Sequence, residues 1–129
     1  MKVEEIIYSI LFADVNINNI VGNNIFPIRA AQGKNLPFIT YTVTSIEPNA
    51  GKREVSAFDT YMIDIDIFSA TFSQLISLVD SVRENFEAVN FESDGVGVEF
   101  DFLNIKEDYK NDAQLFNKTV SIIGHYYSV

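Results

Sequence analysis

The sequence predicts an α+β fold: an antiparallel or mixed β-sheet of about four to five strands, with two main helices packed on one face. Apolar residues recur at three- and four-residue steps near the start of the chain and again from Thr71 to about Ala88. Between and after these stretches they recur at every second residue. A period near 3.6 lays an apolar stripe along a helix, and a period of two lays one on a single face of a strand. The 129 residues, 47% hydrophobic with six Tyr and eleven Phe, supply enough apolar surface for one core, so a single domain over residues 1–129 is expected.

The first helix runs from Lys2 to about Asn16, with Val3, Ile6, Ile7, Ile10 and Leu11 inward. Glu4 and Glu5 lie near the positive end of its dipole. A second short turn follows over Asp14 to Gly22. Asp14 or Asn16 can cap it, Ile17, Ile20 and Val21 face inward, and Gly22 stops it. Ile25 to Arg29 reads as a short extended piece, because the residue before Pro27 is pushed out of the helical region. Ala30 to Asn35 is a loop around Gly33.

Phe38 to Ser45 alternates as a strand, with Phe38, Thr40, Thr42 and Thr44 on one face and Ile39, Tyr41, Val43 and Ser45 on the other. A polar loop follows, and alternation resumes near Thr60, with Tyr61, Ile63, Ile65 and Ile67 opposite Met62, Asp64, Asp66 and Phe68. These two strands form an antiparallel hairpin whose sheet has one apolar and one partly wet face. The helix from Thr71, its cap, presents Phe72, Leu75, Ile76, Val79, Val82 and Phe86. Val89 to Phe91, a turn at Ser93, Asp94 and Gly95, a strand from Val96 to Ile105, a charged loop over Lys106 to Asp112, and a closing strand over Leu115 to Tyr127 complete the order. In the closing strand Phe116, Val120, Ile122, Gly124 and Tyr126 share a face, broken by Lys118; Asn117, Thr119, Ser121 and His125 share the other.

Composition excludes several functions. A net charge of −9 opposes binding to nucleic-acid phosphates. No stretch reaches the roughly 18 apolar residues that span a bilayer, and Glu4 and Glu5 sit where a secretory signal needs basic residues, so a soluble, non-exported protein is expected. The absence of Cys removes disulfides, thiolate metal sites and cysteine catalysis, and the single His125 lacks the nucleophile signature a general base would serve. Val21 to Asn24 precede a strand, not the helix that a phosphate cradle requires, and read as a helix stop.

Two groups carry chemistry. Asp64 and Asp66, like Glu99 and Asp101, share a strand face, and paired carboxylates could hold a divalent cation or split their proton affinities. No Gly-spaced cation loop accompanies them, and a solvated strand face is the simpler reading. Lys52 and Arg53 form the densest basic spot, in a loop longer than hairpins ordinarily use. On an acidic molecule this tip suits the acidic face of a neighbouring copy, a head-to-tail contact that closes into a ring. An ordinary solvated turn explains the same pair, and the sequence leaves both open.

Several segments in order resemble the tail completion family of long-tailed bacteriophages and prophages. They are Ile7-Tyr8-Ser9-Ile10-Leu11, then Asn19 to Pro27, then Arg29-Ala30-Ala31-Gln32-Gly33 followed by Leu36-Pro37-Phe38-Ile39-Thr40-Tyr41. Ile63 to Thr71 and Leu75 to Arg83 look like that family's strand running into its second helix. The resemblance spans nearly the whole chain. It departs in its richness in Asn, Ile and Phe and in a shorter polar loop around Gly51, which bears on subunit contacts.

The resemblance implies a noncatalytic virion protein, similar to the tail terminator of lambda-like phages. Such subunits form a ring, usually hexameric, at the head-proximal end of the tail tube and provide the surface to which the head joins. The implied partners are further copies of the chain, the tail tube protein and head-tail connector proteins. DNA passes through the ring without specific binding, and no membrane, cofactor or metal takes part. The implied place is the virion tail or neck, after assembly in the bacterial cytoplasm. An acidic lumen would keep DNA phosphates from sticking, which suits the charge of −9. Lys52, Arg53, Asp64, Asp66, Tyr126 and Tyr127 are the candidate interface residues. Met62 and Tyr109 are further anchors, whereas Phe68 is expected to complete the core. A monomeric neck or tube adaptor of the same fold, and a cation-dependent carboxylate enzyme, are the alternatives.

Overall fold

The computed structural model describes residues 2–28, 35–48, 59–93, 95–110 and 115–128. Its helices are α1 (Val3–Ala13), α2 (Val15–Val21) and α3 (Phe72–Phe86). Its strands are β1 (Ile25–Pro27), β2 (Phe38–Pro48), β3 (Asp59–Ser69), β4 (Val89–Ser93), β5 (Val96–Lys110) and β6 (Leu115–Ser128). They form one mixed sheet in the order β1-β2-β3-β6-β5-β4. Only β1 and β2 are parallel; every other neighbour pair is antiparallel.

The class is α+β as expected, with three helices and six strands where two main helices and four to five strands were predicted. The short extended pieces expected at Ile25 to Arg29 and at Val89 to Phe91 are the edge strands β1, of three residues, and β4, of five. β5 is longer than expected. Its charged end, Lys106 to Lys110, pairs with β6 from Thr119 to Leu115 and is strand, not loop. Ladder hydrogen bonds to β6, not the local charge, decide the backbone conformation there.

The apolar stripes meet on one face of the sheet. Ile6, Ile7 and Leu11 of α1, Ile17 of α2 and Leu75, Leu78, Val82 and Phe86 of α3 are buried against Ile39, Ile63, Ile65, Ile67, Val120 and Ile122. Each such Ile or Leu contributes about 1.5–3 kcal/mol over its exposed state. The stripe of α3 differs from the expected one. Phe72 is 53% exposed and Ile76 half-buried, while Leu78 and Ser81 are buried.

Asp14 separates α1 from α2: its extended backbone ends the first helix, and its carboxylate accepts from the Ile17 N–H at 2.9 Å. Its other oxygen accepts from Asn85 Nδ2 at 2.7 Å, and Asn16 Nδ2 donates to Ser81 Oγ at 2.5 Å. A polar seam therefore fixes α2 on α3. Gly22, at φ +57°, stops α2 as predicted. Thr71 occupies the N-cap of α3 but makes no side-chain cap bond; its own N–H donates to Ser69 Oγ at 3.2 Å.

Candidate functional site

With all three helices on one face, the other face of the sheet is open, and the register fixes what it carries. Asp64 pairs with Ser121 and Asp66 with Thr119, and the side chains follow: Ser121 Oγ donates to Asp64 at 2.8 Å, and Thr119 Oγ1 donates to Asp66. Asn117 Nδ2 donates to the Ile67 carbonyl at 3.0 Å, and Thr60 Oγ1 lies 3.2 Å from His125 Nδ1. The two aspartates thus belong to a cross-strand ladder of hydroxyl and carboxylate groups. Among the described residues, no group of three or more His, Asp or Glu converges as metal ligands would.

Aromatic rings flank the ladder. Phe68 stacks on Phe38 at 4.8 Å, and Phe26 meets Phe38 edge-on at 6.5 Å. Phe68 is half-buried in this cluster on the open face and does not join the helix-side core. Toward the other edge, Glu99 and Asp101 line a shallow hollow with Asn90, Ile123 and His125.

Tyr126 and Tyr127 point to opposite faces. Tyr126 packs on the helix side, its ring edge-on to Tyr61 at 5.9 Å. Tyr127 lies across Gly97, close enough that a Cβ there would meet its ring at 2.5 Å, and its hydroxyl reaches Asn90 at 3.1 Å and Glu92 at 3.3 Å. Both rings therefore pack within the subunit. Lys52 and Arg53 lie outside the described residues, as does the side chain of Tyr109. The structure brings Asp64 and Asp66 together and separates Tyr126 from Tyr127.

Burial raises the proton affinity of Tyr41 above its ordinary value of 10.0, with nearby Tyr8 and Glu4 adding to it. Tyr61 is shifted the same way by burial, then by Asp59, Glu4 and Tyr126. These phenols therefore stay neutral near neutral pH.

The sheet edges are the features that the sequence concealed. β1 covers β2 only from Ile39 to Tyr41, and β4 covers β5 only from Val96 to Phe100. Beyond them the outer sides of β2 and β5 have no strand neighbour among the described residues. At each step stands an exposed apolar side chain. Ile28, just after β1, is 72% exposed and holds φ +68°, a left-handed conformation that β-branched residues rarely adopt. Leu103, 42% exposed, is the residue left unpaired between Phe102 and Asn104 in β5.

The family described as "Tail completion protein gp17" matches residues 5–123. Among solved structures, a chain in "Virion of native gene transfer agent (GTA) particle" superposes with a TM-score of 0.79 at 13% sequence identity, over 95% of this chain and 92% of that one. No curated protein matches the chain in sequence.

Proposed function

From the premise that the chain belongs to the tail completion protein gp17 family of phage tail structural proteins, we propose that it is a noncatalytic subunit of a ring that ends the tail tube and joins it to the head. The match over residues 5–123 carries this reading, because it takes in all of the helices and strands except the first two residues of α1 and the last five of β6. The likeness of the fold to a chain in a gene transfer agent virion supports a place in a phage-like particle.

The mechanism is one of surfaces. The charge of −9 gives a channel that repels DNA phosphates and so lets DNA slide. The aspartates of the open face act as a structured acidic surface, each carboxylate held by a hydroxyl of β6. Lys52 and Arg53, two of only nine basic residues, are the natural counter-charge for an acidic surface of the next copy. The partners are further copies, six in the reading adopted here, together with the tail tube protein and connector proteins.

Purified protein is expected to show rings in negative stain and a multimeric mass in light scattering. Replacing Lys52 and Arg53 together by Glu is expected to lower that mass while circular dichroism stays unchanged. A protein that remains solitary at high concentration and ignores tail tube protein would overturn the proposal. An unchanged mass in the double variant would remove the basic-loop contact alone.

A further inference from the structure

Every copy of this sheet ends in two stepped edges, and the steps are complementary. Residue pairs across the sheet connect Tyr41 to Ile65, Val120 and Ile105, and Ile39 to Ile67, Lys118 and Glu107. β1, paired with Ile39 to Tyr41, therefore sits at the level of β5 residues 105–107. β4 sits at the level of residues 96–100 on the opposite edge. The two edge strands occupy different levels, so each could fill the space that the other leaves open.

On this basis, and resting on the ring reading above, we propose that neighbouring copies interlock edge to edge. In that junction β1 of one copy lies against the uncovered outer side of β5 in the next, above that copy's own β4. The strand directions agree: β1 runs with β2 and against β3, and β5 runs with β3, so the new pair is antiparallel. Carbonyl groups on the outer side of β1 can accept from N–H groups of β5 beyond Phe100, where no strand lies alongside among the described residues; the Phe102 N–H is already held by Asp101 Oδ1 at 2.8 Å.

The exposed apolar residues fall in place. Ile28 follows Pro27, and its N–H donates to the Tyr41 carbonyl at 2.8 Å. That puts it near the level of Thr42, which runs through Asp64 and Ser121 to Asn104, the residue after the bulge at Leu103. With no shift along the strands, Ile28 of one copy meets Leu103 of the next. The contact also gives the strained Ile28 backbone a purpose, since it holds the side chain outward at the junction. Two different edges meet at every junction, so the contact is head-to-tail and repeats until the ring closes.

The absence of Cys makes the test clean. A variant carrying both Ile28→Cys and Leu103→Cys, oxidised or treated with a short bis-maleimide, should give a ladder of multimers on a denaturing gel. Either single variant should stop at dimer or below. Light scattering before cross-linking reads the ring separately. Multimers that fail to cross-link in the double variant overturn the edge junction and leave the ring reading standing, whereas a monomeric mass overturns both. As a second measurement, Ile28→Asp should lower the oligomer mass, and Phe72→Asp, at another exposed apolar site but on the helix side, should not. Equal effects of the two would also overturn the junction.

Discussion

At the scale of single residues, Asp64, Asp66 and Tyr127 of the open face are each hydrogen-bonded within the subunit, and Gly97 shows how closely Tyr127 is held. Tyr127 covers the space where a Cβ would stand, and its hydroxyl is tied to Asn90 and Glu92 on β4. A ring lying over a strand glycine restores the packing that glycine lacks and pins the register of the pair. Gly97→Ala should therefore cost about 1–3 kcal/mol, the ordinary penalty of overpacking. In a Tyr127→Ala background the same change should cost nothing, because the ring that it strikes is gone. Chemical denaturation of the four proteins of this cycle checks it, and an equal penalty in both backgrounds would show that the backbone of Gly97, not the ring, sets the requirement.

At the scale of elements, the helix layer and the central strands carry stability, and Tyr41 on β2 links them to pH. Its phenol is buried beside Tyr8 and Glu4, so the folded state holds the proton to higher pH than the unfolded chain does. The sign follows: this contribution is complete below about pH 10 and is lost as pH rises through the higher folded-state value. Thermal stability should fall as pH rises above about 10, and Tyr41→Phe should flatten that dependence, with Tyr61 contributing part of the remaining slope. Parallel curves for the two proteins would exclude Tyr41 as the group. Elements with strong periods, such as the pairing of β2 with β3 and the face of β6, were legible because alternation and burial coincide there. The buried Ser81 of α3 was not, since its partner Asn16 lies on another helix and only the folded seam brings them together. Lys106 to Lys110 misled for a similar reason: charge suggests a loop, but β6 supplies the hydrogen bonds of a strand. The acidic pair Asp64 and Asp66 could be read from its spacing, whereas Ile28 and Leu103 gave no local sign, because their significance lies in the levels at which β1 and β4 end.

At the scale of the whole molecule, assembly sets apolar and hydrogen-bonded junctions against charge. Each copy carries −9, so every copy that joins a ring adds to a repulsion acting well beyond its junctions. Screening acts on that repulsion first. Raising ionic strength from 0.01 M to 0.15 M shortens the screening length from about 30 Å to about 8 Å, which removes repulsion between distant charges and leaves backbone pairing and the Ile28 contact untouched. Ring assembly should therefore strengthen with salt over this range, seen as a lower protein concentration at half dissociation. Replacing Lys52 and Arg53 by Glu makes the charge more negative by four and should steepen the response, with the variant recovering part of its lost assembly at high salt. A wild-type ring that falls apart as salt is added would mean instead that ion pairs between copies hold it together, and would shift the main contact from the sheet edges to the basic loop.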